Sequence, residues 1–174
     1  MRRLVPHVLL SLSALLLTAT CAVSGPRFVR EQPDPGGAII YVYRPAEMAG
    51  AIIDFRLFDI TRLVDSKQIA LVWDEKIASH RVKDTVGAMA RGQELAVFRN
   101  GNYLAYGVAP GTHYFIVSAD FQWGPTEQVT EVKVAAGESV FLEAPIGAGG
   151  RPHLFRTEAN EGLSHIQDCV KIIK

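Results

Sequence analysis

Past residue 37, the feature that most constrains the fold is a succession of short apolar runs, each ended within a few residues by Gly, Pro or Asn. Most runs are dense in β-branched and aromatic side chains, which suit a pleated, half-buried surface. Ala38-Ile-Ile-Tyr-Val-Tyr-Arg44 is stopped by Pro45, Ile52–Asp59 alternates apolar and polar from Phe55 onward, and Ile69–Trp73 is a shorter run of the same character. His113–Ser118 follows the turn Ala109-Pro-Gly111, Val129–Val134 alternates cleanly, and Ser139–Glu143 follows Ala136-Gly137. Runs recurring at roughly 8–12-residue spacing predict a mainly β fold. The expected form is a single antiparallel β-sandwich, immunoglobulin- or transthyretin-like, with about seven or eight strands. A doubly wound α/β fold would need long amphipathic helices between the strands, and none is legible.

Three segments complete the layout. Arg99-Asn-Gly-Asn102 lies between Glu94–Phe98 and Tyr103–Tyr106, and Asn-Gly between two apolar runs predicts a hairpin. The region 60–93 is an insertion: within Asp74–Arg91, Ile77, Val82, Val86 and Met89 recur at spacings of five, four and three, a loose match to one helix face. It is expected to be irregular, able to hold one short helix, so that deleting 74–91 leaves the sandwich folded. After the glycine run Gly147–Gly150, His153–Thr157 and Leu163–Ile173 are expected as a last pair of strands. Residues 22–37, with Pro26, Pro33, Pro35 and Gly36-Gly37, form a tether too rich in Pro and Gly to join a core.

The start of the chain concerns location. Arg2 and Arg3 precede the uncharged run Val8–Leu17, and small residues lead to Cys21. This order is that of a bacterial-type export signal over residues 1–21. Cleavage before Cys21 would leave an N-terminal cysteine to carry acyl chains, each buried methylene adding roughly 0.8 kcal/mol of membrane affinity. Leu17 stands four places before the cysteine and Thr20 is adjacent to it, an imperfect lipoprotein pattern, and cleavage after Ala22-Val-Ser24 is the alternative. Lipid attachment at Cys21, a disulfide from Cys21 to Cys169, and removal of Cys21 therefore stay open, with a buried, inert Cys169 expected. Of 18 basic and 18 acidic residues, Arg2 and Arg3 leave with the signal, so the body is slightly acidic and nucleic acid is not an expected partner.

Candidate chemistry is sparse. His80, His113, His153 and His165 share no short ligand spacing, so no metal is expected; His113 is read as structural and His80 as solvated. Asp54 and Asp59, five residues apart on a strand, fall on opposite faces and suit no acid–base pair. No Gly-x-Ser-x-Gly elbow is present, Cys169 has no obvious base, and the 147–150 glycines lack a following Lys-Ser/Thr, so no catalytic or cofactor-binding residue is assigned. Tyr41, Tyr43, Tyr103, Tyr106, Tyr114 and Trp123 offer a ligand-stacking face, although aromatic residues in strands normally pack inward. Phe121 and Trp123, in the loop Phe121-Gln-Trp-Gly-Pro125, form the candidate partner-contact loop.

Several segments together resemble the bacterial family known as domain of unknown function 2846. They are Ile39–Pro45, Phe98-Arg-Asn-Gly-Asn-Tyr103, Ala109-Pro-Gly-Thr-His113 and Ala136-Gly-Glu138, with a tail of Gly150-Arg-Pro-His-Leu154 and Ile166-Gln-Asp-Cys169. The resemblance spans roughly residues 38–172 and departs near 60–93. It implies an exported or lipid-anchored protein with a small β-sandwich and no established activity. The expected function is that of a non-catalytic envelope protein, held by an N-terminal acyl anchor and contacting an unknown envelope protein. The alternative is a periplasmic carbohydrate- or peptidoglycan-binding module. Ala22 after the cysteine favours an outer-membrane lipoprotein facing the periplasm over inner-membrane retention, with a soluble periplasmic protein as the alternative.

Overall fold

The computed structural model describes residues 25–46, 53–119, 128–146 and 151–173. Cys21, the signal, the loop with Phe121 and Trp123, and Gly147–Gly150 lie outside the described residues. The chain is mainly β, in two sheets. In order the elements are β1 (Ala38–Tyr43), β2 (Phe55–Asp59), α1 (Thr61–Asp65), β3 (Leu71–Asp74), β4 (Ser79–Val82), α2 (Thr85–Arg91), β5 (Gln93–Phe98), β6 (Asn102–Val108), β7 (Gly111–Ala119), β8 (Gln128–Val134), β9 (Ser139–Glu143), β10 (Phe155–Thr157), α3 (Ala159–Ile166) and β11 (Val170–Lys171). The five-stranded sheet runs β10-β9-β1-β6-β11 and the six-stranded sheet β3-β4-β8-β7-β2-β5.

The main core lies between the sheets. Ile40, Val42, Leu104 and Leu142 from one meet Phe55, Leu57, Phe115 and Val132 from the other. β1 is buried along its whole length, AIIYVY, instead of alternating. The cause is a second cluster on its outer face, where Ile39, Tyr41, Tyr43, Tyr103 and Phe141 are covered by Ile166, Cys169 and Phe28. A strand covered on both sides reads as a continuous apolar run. A third cluster covers the outer face of the six-stranded sheet, joining Ile60, Leu63, Val82 and Ala88 to Ile116 and Val129.

These outer clusters overturn three expectations. The region 60–93 is regular, with two helices and the β3–β4 hairpin, and β4 pairs with β8 through His80↔Val129 and Arg81↔Gln128. Its apolar residues are committed because the sheet face beneath them would otherwise be wet. Asp84 accepts from the Gly87 N–H (2.8 Å) at the start of α2, the side-chain cap that lets so short a helix form. Residues 25–37 are likewise seated rather than loose. Arg27 bridges to Val170, the Phe28 ring lies edge-on to Tyr41 and Tyr103 (5.4 and 5.3 Å), and Glu31 pairs with Lys171. Third, Leu163–Ile166 is helical, not extended: Gly162 and Ile166 are buried at a spacing of four, so one face of α3 rests on β9.

The Asn-Gly signal marks a turn but not a hairpin. The Asn102 N–H bonds to the Arg99 carbonyl (3.1 Å), and of the two central residues Gly101 alone has positive φ (76°). That is the pattern of a type II turn, whose twist does not match a two-stranded ribbon as a turn with both φ positive would. β5 therefore ends in the six-stranded sheet and β6 begins in the five-stranded one. Because the chain keeps changing sheets, β1–β9 and β6–β11 are parallel, so the five-stranded sheet is mixed, whereas the six-stranded sheet is antiparallel throughout as expected.

Candidate interaction edge

β3 is the outermost strand of its sheet; its only strand partner among the described residues is β4. Successive side chains on a strand point to opposite faces, yet Val72 is 45 % exposed and Trp73 56 %. The hairpin therefore projects past the core, and only its base, Leu71 with its cross-strand partner Val82, packs on it. Ile77, at the hairpin tip, is exposed as well. An apolar strand edge in water is a template for pairing with another chain, and proteins usually blunt it with charge.

The hairpin is held rigidly. Trp73 pairs across the ladder with His80, the rings 5.2 Å apart and nearly perpendicular (77°). His80 is half-buried, contrary to the solvated side chain expected for it, because its Nδ1 lies 3.3 Å from Glu131 on β8, which also holds Lys133 at 3.3 Å. Asp74 accepts from Arg81 (2.7 Å) and from the Lys76 N–H (2.9 Å), and these donors lower its pKa. The Ser79 hydroxyl donates to the Val129 carbonyl (3.0 Å). Two shallow hollows of about 570 and 470 Å³ flank Trp73; one is bounded by Val72, Lys76 and Lys83, the other by Gln128, Glu131 and Arg156.

The other residues singled out from the sequence fall elsewhere. Tyr41, Tyr43 and Tyr103 are fully buried and offer no stacking face, and Tyr106 and Tyr114 are half-buried. His113 Nε2 bonds to the Ala109 carbonyl (2.8 Å), closing the turn before β7. Asp59 accepts from Tyr106 (3.0 Å) and from the Thr61 N–H (2.8 Å), while Asp54 faces Arg99 at 3.8 Å. Among the described residues no three His, Cys, Asp or Glu side chains converge as a metal site.

One buried polar cluster escaped the sequence reading. Glu143 on β9 accepts from Tyr43 (2.8 Å) and bonds His165 Nδ1 (2.9 Å), with Thr157 at 3.4 Å from the phenol. Along the chain Tyr43 stands 100 residues from Glu143 and 114 from Thr157, and the parallel β1–β9 pairing, Tyr43↔Glu143, unites them. It bolts α3 to the sheet. Cys169 lies beside it with its thiol pushed up to about 12 by burial, so the sulfur is a neutral donor, toward the Arg44 carbonyl at 3.6 Å.

Trp73 carried no distinguishing signal, because edge status is a tertiary fact. No family model matches the chain, and neither a curated protein nor a solved structure matches it.

Proposed function

We propose that this chain is a non-catalytic, exported cell-envelope protein that offers its β3–β4 edge to an envelope protein. On this reading the two sheets form an immunoglobulin- or transthyretin-like sandwich, and acylated Cys21 holds the body at the periplasmic face of the outer membrane. The soluble periplasmic form remains the alternative location. The observation that carries the reading is the exposed, braced Trp73 on an outermost strand; aromatic anchors of this kind dominate protein–protein binding energy. The resemblance to the domain of unknown function 2846 family rests on short segments and supports export more than any partner.

A photo-crosslinking residue at Val72 in the exported protein tests this. The expected result is one discrete protein adduct, lost on Trp73→Asp while the melting temperature is kept. Adducts indistinguishable from those of the same residue at Val97, on the opposite edge strand, would overturn the proposal.

A second reading, binding of carbohydrate or peptidoglycan, draws on the polar hollow beside Trp73, where Gln128, Glu131 and Arg156 could bond hydroxyls against the indole. Quenching of Trp73 fluorescence by purified cell-wall fragments, in a Trp123→Phe background, would favour it over a protein partner.

A further inference from the structure

A cleft of about 650 Å³ opens at the end of the molecule where β2, β5, β6 and β7 meet α1 and α2. Residues from both sheets and both helices of the 60–93 region line it. Asp59 and Tyr106 form its floor, Arg62 and Arg91 are exposed on its wall, and Gln68, Gln93 and His113 complete the lining.

The charges in this cleft are arranged unequally. Asp59 is already engaged: Thr61 N–H and the Tyr106 hydroxyl each donate to one of its oxygens. Arg56, Arg81, Arg99 and Arg156 each lie against a carboxylate. Arg62 and Arg91 have no carboxylate partner among the described residues; Arg91 spends only its Nε–H, on the Gly87 carbonyl (3.1 Å). A guanidinium presents five donors in a planar fork that matches carboxylate and phosphate oxygens two at a time. Two such forks at one concave site, with amide side chains beside them, are complementary to an oxyanion on a ligand that also carries hydrogen-bonding groups.

We propose that this cleft binds the carboxylate or phosphate group of a small polar ligand, with Arg62 and Arg91 as the oxyanion holders and Gln68 and Gln93 reading its neutral polar groups. Binding here is independent of the β3 edge, which lies on the other margin of the six-stranded sheet from β5.

The test is an NMR titration of the exported protein with citrate and, separately, inorganic phosphate, at ionic strength matched with sodium chloride. Arg62 and Arg91 Nε–H signals should shift saturably with at least one probe, and the Arg62→Gln/Arg91→Gln double variant should bind it at least about tenfold more weakly. Both side chains are exposed, so the double variant should melt as the wild type does. Arg99→Gln, which removes an exposed arginine outside the cleft, should bind normally. Saturation by citrate alone would assign a carboxylate ligand and by phosphate alone a phosphate-bearing one. Shifts that never saturate, a double variant that binds normally, or equal weakening by Arg99→Gln would overturn the proposal.

Discussion

Lys67 ends α1 with a backbone that its own side chain disfavours. Its φ is 57°, while the Gln68 N–H reaches the Leu63 carbonyl (2.9 Å) and the Lys67 N–H the Val64 carbonyl (2.9 Å), the paired bonds of a Schellman cap. Glycine takes that conformation without the roughly 1–2 kcal/mol cost of a Cβ. Lys67→Gly should therefore raise the free energy of unfolding by about 1 kcal/mol after the entropy of a more flexible unfolded chain is subtracted, read as a higher midpoint in thermal unfolding. Gly162 presents the reverse case. A Cβ there would stand 2.5 Å from the Phe141 Cβ and 2.9 Å from Thr157 Oγ1, so α3 can approach β9 only because the side chain is absent. Alanine would gain about 1 kcal/mol of helix propensity but force overpacking worth about 1–3 kcal/mol, and Gly162→Ala should lower stability in urea unfolding. The same glycine hides α3 from a sequence reading, since it resembles a helix breaker unless the closeness of β9 is known.

Among elements, β1, β8 and β9 were legible because β-branched density and alternation report burial directly. The direction of the turns was not, since Arg99–Asn102 holds the right residues for a hairpin and only the sign of φ at Asn100 decides which sheet receives β6. The 60–93 region was misread for a related reason: its apolar residues answer to a sheet face supplied by β7 and β8, far along the chain. Deleting 74–91 would take away Val82 and Ala88 and uncover Ile60, Ile116 and Val129. At roughly 1.5–3 kcal/mol for each large aliphatic side chain uncovered, that loss rivals a typical total stability of about 5–15 kcal/mol. The deletion should abolish cooperative melting, as calorimetry would show. Of the cleft, Asp59, Tyr106 and His113 were noticed, each for a different reason, but nothing local links a strand end at 59 to a helix end at 91. Trp73 had no local mark either, because an outermost strand and an inner one share the same alternation.

For the whole molecule, buried phenols set an alkaline limit. Burial raises the pKa of Tyr41, Tyr43 and Tyr103 above the usual 10.0, and burial beside Asp59 takes Tyr106 to about 12; Cys169 rises from 9.0 to about 12. Each group holds its proton more tightly folded than unfolded, so its contribution is intact below the unfolded value and is lost as pH climbs toward the folded one. Stability should fall from about pH 9 upward, and tyrosinate absorbance should appear together with loss of circular dichroism rather than before it. In the native state at pH 8, Cys169 should ignore a thiol reagent that modifies it fully in urea, as a colorimetric assay would show. The seating of residues 25–37 also has a mechanical consequence for an acylated Cys21. With Arg27 bridged to β11 and Phe28 wedged between Tyr41 and Tyr103, the usable leash is the few residues from Cys21 to Gly25, at most roughly 15 Å of extended chain. If Cys21 is acylated, a leash of that length would hold the body against the bilayer, and whatever it meets would have to come to the membrane surface.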